Sequence, residues 1–350
     1  MITRAPGRIC IFGEHQDYLG HPVIAGAIDL CIYIQGEPRS DNTFIIHKRD
    51  FGETETFDYP AAGLIPYTRE RDYFKSVPNV LRSQGITITQ GCEVEVWSHI
   101  PMAAGASSSS AINVAWMKFL CELFQVPSRD DPLAIGELAF LSEVAAFNEP
   151  GGRMDQYISS LGGIYFLDFK QGVHEMLRPD MRGFVLIDSL HKKDTFGMLT
   201  RVKQGQMAAL AAIHGRYPDR DLLEIDGHDL DFLPGDLHLY GQAAVLNYQL
   251  TMTGKEILKQ DPIDGPRFGQ YLCRQHRILR DGLQNTTPKI DRLLDIALDA
   301  GALGGKMNGS GGGGTLFVYA PGKQEQVVEQ INRAELEVRT DIITIPATSG

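Results

Sequence analysis

Pro101-Met-Ala-Ala-Gly-Ala-Ser-Ser-Ser-Ser110 opens without a break onto an apolar run. In that run Ile112, Ala115, Trp116, Phe119, Leu120 and Leu123 recur at helical spacing. A small-residue loop feeding a helix N-terminus presents unpaired N–H groups and the positive end of the helix dipole, which together suit an anion. Small residues let the backbone approach a phosphate closely. The serines can cap the helix, donate to phosphate oxygens or ligate a hard cation. The same residues also read as a plain capped helix, so this stretch leaves both readings open.

The rest of the chain sets the frame. At 350 residues two domains are expected, and 43% hydrophobic content supports a large core. A formal net charge of −11 argues against a general nucleic-acid binder. No run approaches the roughly 18 apolar residues of a membrane helix. The N-terminal Met-Ile-Thr-Arg-Ala-Pro lacks the layout of a signal peptide. Cys10, Cys31, Cys92, Cys121 and Cys273 are odd in number and scattered, with no CxxC pair. A cytoplasmic protein is expected, binding neither nucleic acid nor membrane, with the oligomeric state open and a monomer plausible.

Strand signals fall at 8–12, 31–35, 43–48, 54–59 and 92–99, where Val94 and Val96 alternate with Glu93 and Glu95. Helix signals fall within 73–83, where Pro78 forces a start or kink, and at 131–147, led by Asp130, Asp131 and Pro132. A short helix follows near 154–160, then strands at 163–169 and 184–188. Beyond residue 190 the pattern is mainly helical (194–214, 237–253, 268–283, 290–300). It closes with a glycine-rich loop at 304–314, a strand at 315–319, a helix at 323–334 and a strand at 336–345. Strands separated by helices in both halves predict two α+β units, 1–190 and 191–350, rather than a doubly wound parallel sheet.

Three further groupings carry potential chemistry. Arg8 precedes Gly13-Glu-His-Gln-Asp-Tyr18, a cluster that suits a polyhydroxylated ligand or forms a solvated turn. Gly151-Gly-Arg-Met-Asp155-Gln156 places Asp155 twelve residues after Glu143. Asp155 there is either a partly buried base or a helix N-terminal carboxylate. Gly304 to Gly314 has seven glycines in eleven residues between a helix and a strand, which reads as a second backbone-lined loop beside the phosphates. Neither loop has the spacing of a P-loop or of a dinucleotide fingerprint.

Ala5 to Tyr18, Pro101 to Ala111 and Gly304 to Gly314 resemble, in order and spacing, the three motifs of the GHMP kinases. Within that family the chain is most similar to the galactokinase branch, through Gly-Glu-His15-Gln-Asp-Tyr18 and Gly-Arg-Met-Asp155-Gln. The mevalonate-kinase branch is the nearest alternative, but it carries Lys where Arg8 stands and lacks Asp17 and the Met-Asp-Gln triplet. The resemblance implies a two-domain α+β kinase fold with its active site in the inter-domain cleft. It implies transfer of the γ-phosphoryl group of Mg·ATP to a monosaccharide, foremost the anomeric hydroxyl of galactose.

Asp155 matches the family's base, and Arg8 the residue that keeps it ionised and neutralises the moving phosphoryl group. Glu14, His15, Asp17 and Gly152 match the sugar ligands, and Ser109 and Glu143 the Mg²⁺ ligands. Gly105, Ala106, Ser107, Ser108, Ser109 and Ser110, with Gly309, Gly311 and Gly312, match the nucleotide loops. Phosphoryl transfer asks for such positioning and charge neutralisation.

The chain departs from the galactokinase pattern at Gly151, Arg153, Gln16 and Leu19, and it shows no clear match for a sugar-packing Tyr after Ser189. Arg153 either serves an acidic sugar or points to solvent. The alternatives are a kinase of a non-sugar alcohol such as mevalonate, and a non-catalytic sugar sensor. The presence of Arg8, Ser109, Glu143 and Asp155 argues against the sensor.

Overall fold

The computed structural model describes residues 1–102, 104–191, 195–334 and 336–346, the side chain of Thr195 excepted. Ala103 in the serine loop and Asp194, the expected start of a helix, lie outside the described residues.

The first sheet is built from β1 (Ile2–Phe12), β2 (Val23–Pro38), β3 (Thr43–Lys48), β4 (Glu53–Asp58), β5 (Cys92–Ser98), β6 (Ile164–Asp168) and β7 (Val173–Leu177). Its order is β4-β3-β5-β2-β6-β7, with β1 also pairing with β2. Among the described residues all pairings are antiparallel except β3 with β5. On β5, Cys92, Val94 and Val96 are buried while Glu93 and Glu95 are exposed, as the alternation predicts. The first half of β2 is buried without alternation and pairs with β1 and β6 on its two edges.

Helices α1 (Tyr73–Ser83), α2 (Ser108–Leu123), α3 (Pro132–Phe140) and α4 (Met154–Leu161) belong with this sheet. Helix α3 starts where Asp131 accepts from Leu133 N at 2.9 Å, with Pro132 at the first helical position. The single helix expected over 131–147 instead gives way to a π turn at Leu141–Ala145. That turn carries Glu143, and such insertions often re-aim a side chain at a functional site.

The second sheet has order β11-β8-β10-β9 and is antiparallel throughout its described pairings. Its strands are β8 (Phe184–Asp188), β9 (Gly304–Met307), β10 (Thr315–Tyr319) and β11 (Arg339–Ile343). Helices α5 (Thr195–Arg216), α6 (Gly235–Leu258), α7 (Gly265–Arg277), α8 (Pro288–Asp299) and α9 (Gln324–Arg333) complete this half. β8, which precedes the boundary expected at 190, pairs with C-terminal strands.

Two elements read differently from the sequence. β7 is a half-buried edge strand whose His174 and Glu175 obscure its alternation. β9 occupies the start of the stretch expected to be a loop. Its glycines serve packing: a Cβ on Gly304 would sit 1.9 Å from the Gly269 carbonyl oxygen, so α7 lies directly against the strand.

The two halves share one core. Phe12 of β1 meets Phe268 of α7 edge-on at 5.8 Å, and Phe184 meets Phe317 at 6.0 Å in the same cluster. Trp116 and Phe119 of α2 stack at 5.5 Å inside it. The helical spacing of α2 thus buries its apolar face and fixes its N-terminus at the junction between the halves.

Candidate active site

Arg8 follows a register shift in β1, and its side chain is 4% exposed. Its Nε and Nη2 donate to Asp155 Oδ1 and Oδ2 at 2.8 and 2.7 Å, a bidentate fork. Its Nη1 donates to the Gly105 carbonyl at 2.6 Å, and its backbone N–H to the Ala106 carbonyl at 3.1 Å. One guanidinium therefore joins the serine loop to the acid on α4. Burial opposes the charge on Arg8, but the Asp155 carboxylate more than offsets it and the pKa is raised. The Asp155 side chain keeps 28% of its surface exposed.

Serine 107 adopts a left-handed backbone (φ 65°) at the N-cap of α2, and its side chain makes no capping hydrogen bond. Its Oγ is buried and has no partner among the described residues. Ser107 therefore does not cap α2 through its side chain, and an unsatisfied hydroxyl beside a helix N-terminus is chemically suited to a phosphate oxygen. Ser108 and Ser110 are also buried, and Ser110 Oγ accepts from Gln156 Nε2 at 3.3 Å.

Glu143, on the π turn, accepts from Gln156 Nε2 at 2.6 Å and from the hydroxyls of Ser109 and Ser110. Burial raises its pKa to about 7 against those hydrogen bonds. Among the described residues no group of three or more His, Cys, Asp and Glu forms a closed metal site. Mg²⁺ does not need one: it is commonly held by one or two protein oxygens plus substrate phosphates. Ser109 and Glu143 fit that pattern, and a divalent charge would favour the ionised form of Glu143.

The first-motif turn lies across from α4. Asp17 Oδ2 accepts from Met154 N at 3.1 Å, and burial raises its pKa. A Cβ on Gly152 would fall 2.0 Å from Asp17 Oδ2, so glycine is required for this approach. His15 pairs through Nδ1 with Tyr18 Oη at 2.7 Å, while Nε2 faces Asn285 Nδ2 at 2.9 Å. Glu14 is buried and both its oxygens are engaged: Oε1 accepts from Gly309 N at 2.7 Å, and Oε2 pairs with the buried Lys306. Burial raises the Glu14 pKa, and Lys306 opposes that rise.

The glycine loop backs onto both other motifs. Asn308 Nδ2 donates to the Gly105 carbonyl at 3.0 Å, and Asn308 Oδ1 accepts from Cys10 N at 2.9 Å. Thr315 N donates to the Ala104 carbonyl at 2.6 Å. Gly311 and Gly312 pack on Asn285, with Gly312 N donating to its carbonyl at 2.7 Å. The amides of Gly309 and Gly312 thus bond groups of the protein itself.

The residues singled out in the sequence therefore converge. Arg8, Asp155, the serine loop and Glu143 form one face, and Asp17, Gly152 and His15 adjoin it. Gly309 packs directly on Gly105 of the serine loop, with Gly311 and Gly312 against Asn285. Arg153 is the outlier. It pairs with Glu137 (Nε to Oε2, 3.0 Å) and lies 4.1 Å from the Phe140 ring centroid, turned to α3. Gln156, Lys306, Asn308 and Asn285 support the site, and the sequence reading assigns none of them a role there. Gln156 stands beside Asp155 in sequence, and Lys306 and Asn308 interrupt the glycines, which is the signal that marks them.

Comparison with known proteins agrees with this geometry. Residues 72–163 match the GHMP kinases N-terminal domain, and 255–337 the GHMP kinases C-terminal model. Residues 1–38 match the galactokinase galactose-binding signature. The chain is 28% identical to a galactokinase of Mannheimia succiniciproducens, over 97% of this chain and 90% of that protein. It is 27% identical to a mevalonate kinase of Thermococcus gammatolerans, over 95% and 93%. Its fold is similar to that of Lactococcus lactis galactokinase solved with galactose: TM-score 0.85, 22% identity, covering 98% of this chain and 93% of the other.

Proposed function

The chain belongs to the GHMP kinases, and from that premise we propose that it transfers the γ-phosphoryl group of ATP to the anomeric hydroxyl of galactose or a related monosaccharide. The observation that carries this reading is the Arg8–Asp155 fork set between the serine loop and the Asp17–Gly152 contact. In this reading the acid lies between the face that would hold the phosphates and the face that would hold the acceptor hydroxyl.

Ser107 to Ser110 and the α2 N-terminus would hold the triphosphate, and Ser109 with Glu143 would hold Mg²⁺. When bound, Mg·ATP supplies the transferable phosphoryl group and a divalent charge. Asp17 accepts from sugar hydroxyls, with His15 beside it, and together they orient the acceptor. Asp155 takes the proton from the attacking hydroxyl at a carboxylate oxygen. Arg8 holds that carboxylate in place and offsets negative charge developing nearby. Glu14 acts here through Gly309 and Lys306 rather than through a free oxygen.

Two supporting points concern setting. Among the described residues no helix is long and apolar enough to cross a membrane. All five cysteines are free and four are buried, which fits the reducing cytoplasm we propose for it.

A second reading, phosphorylation of a non-sugar alcohol such as mevalonate, draws on the 27% identity to a mevalonate kinase. The Asp17–Gly152 contact favours sugar. The test is ADP release by the purified protein with Mg·ATP and a panel of free sugars and mevalonate, with phosphorus NMR of the product. Phosphorylation of a sugar at its anomeric oxygen is expected. Turnover of mevalonate alone would overturn the reading.

A further inference from the structure

Helix α5 crosses from the C-terminal half to the first-motif turn and brings one cation with it. Lys203 Nζ donates to the Pro150 carbonyl at 3.2 Å and lies 5.3 Å from the Tyr18 ring centroid. Both neighbours border the acceptor region. Pro150 leads directly into Gly151-Gly152, whose close approach to Asp17 is described above. Tyr18 adjoins Asp17 in sequence and bonds His15.

Among the described residues no carboxylate stands within ion-pair distance of Lys203. Lys48, Lys75, Lys255 and Lys306 each meet one. Lys203 is half-buried, and its ammonium is met by a backbone carbonyl and a ring face but by no countercharge among the described residues, which an anion would supply.

The same helix offers more unsatisfied polar atoms. Thr200 Oγ1 and both amide atoms of Gln206 are buried and have no hydrogen-bond partner among the described residues. Lys203, Gln206 and Leu210 follow one helix face at spacings of three and four residues. Lys203 lies over Tyr18, and Leu210 shares a cluster with Leu19, so this face looks onto the Asp17–Leu19 turn. Arg8 is forked onto Asp155 and Arg153 is paired with Glu137, so both of those cations already have a carboxylate.

We propose that Lys203 recognises an anionic substituent on the acceptor, so that the physiological substrate is an acidic monosaccharide, a uronic acid or a sugar phosphate, rather than a neutral hexose. This rests on the sugar-kinase reading and narrows it. The ammonium binds the carboxylate or phosphate by charge-assisted hydrogen bonds, exchanging the Pro150 carbonyl for a stronger acceptor.

The test compares kcat/KM for galactose, glucose and arabinose with that for galacturonate, glucuronate and hexose 6-phosphates, in the wild-type chain, Lys203→Met and Lys203→Arg. An acidic sugar is expected to exceed every neutral one, and the uronate and phosphate arms identify which anion is read. Lys203→Met should lower the acidic-to-neutral ratio by about 10- to 100-fold, the worth of one charge-assisted contact. Lys203→Arg should retain most of the ratio. The ratio is the deciding readout because a mere strut between α5 and the Pro150 loop, or a partly unfolded sample, would lower both classes alike. A neutral sugar preferred by the wild-type chain, or a ratio unmoved by Lys203→Met, overturns the assignment and leaves the sugar-kinase reading standing. Turnover of no sugar of either class overturns both.

Discussion

At the scale of single residues the proposed chemistry rests on Arg8, Asp155 and Glu143. The fork from Arg8 fixes the plane of the Asp155 carboxylate, and an N–H on Nη1 grips the serine loop proposed to hold the phosphates. Asp155→Asn keeps the shape and removes the acceptor of the proton. It should lower kcat by about 10²- to 10⁴-fold while Mg·ADP still binds within a few-fold of normal. Stopped-flow turnover with calorimetric nucleotide binding separates the two effects, and near-normal kcat would remove Asp155 from proton transfer. Glu143 yields a pH prediction. Its pKa in the folded chain is about 7 against an ordinary 4.5, so the folded state holds the proton more tightly than the unfolded chain. This group therefore supports folding fully below about 4.5, and that support is lost as the pH rises to about 7. In the nucleotide-free protein, wild-type stability should fall relative to Glu143→Gln between pH 5 and 7. A constant difference in thermal melts over that range would contradict it.

Elements explain how the three motifs come to share one place. β1 ends in the first-motif turn, α2 starts at the serine loop, and the β9–β10 connection runs along both. One link from the first-motif turn to the glycine-rich stretch is the buried Glu14–Lys306 pair, with Lys306 also donating to the Cys10 carbonyl at 2.8 Å. Lys306→Met leaves the Glu14 carboxylate buried beside Gly309 with no countercharge, at a cost of about 3–5 kcal/mol. Urea unfolding should report that loss, and the double variant with Glu14→Gln should recover part of it, because the stranded charge is then gone. No recovery would mean that Lys306 acts through packing alone. The π turn after α3 is a second device at this scale. A regular helix through residue 147 would rotate Glu143 relative to Ser109 and Gln156, so the irregularity sets the candidate cation site.

The whole molecule is two sheets with helices joined through one apolar cluster. A Cβ on Gly254 of α6 would lie 2.4 Å from Phe12 of β1, so the helix backbone rests on the ring. With Phe268, Phe184 and Phe317 in the same cluster, neither half can separate without exposing core. Unfolding should therefore be one transition. Trp97 and Trp116 report the first half by fluorescence, while far-UV circular dichroism weights the long helices α5 and α6 of the second. The two thermal curves should coincide, and separated midpoints would show that the halves melt independently.

Much of this was legible in the chain. Helix 73–83, strands 43–48 and 184–188 and the alternation on β5 follow from local periodicity, and the three motifs carry the family. Their residue types suffice for that because a small-residue loop at a helix N-terminus is a local property of backbone and side-chain size. Tertiary structure alone decided the rest. The second-sheet partners of β8 lie far along the chain, and the strand within the glycines exists because α7 presses on it. Glu14 turns inward to Lys306, Arg153 turns away to Glu137, and Lys203 reaches Pro150 from another helix. A charged side chain is committed by whichever partner the folded backbone brings within about 3–4 Å, and linear spacing does not encode that distance.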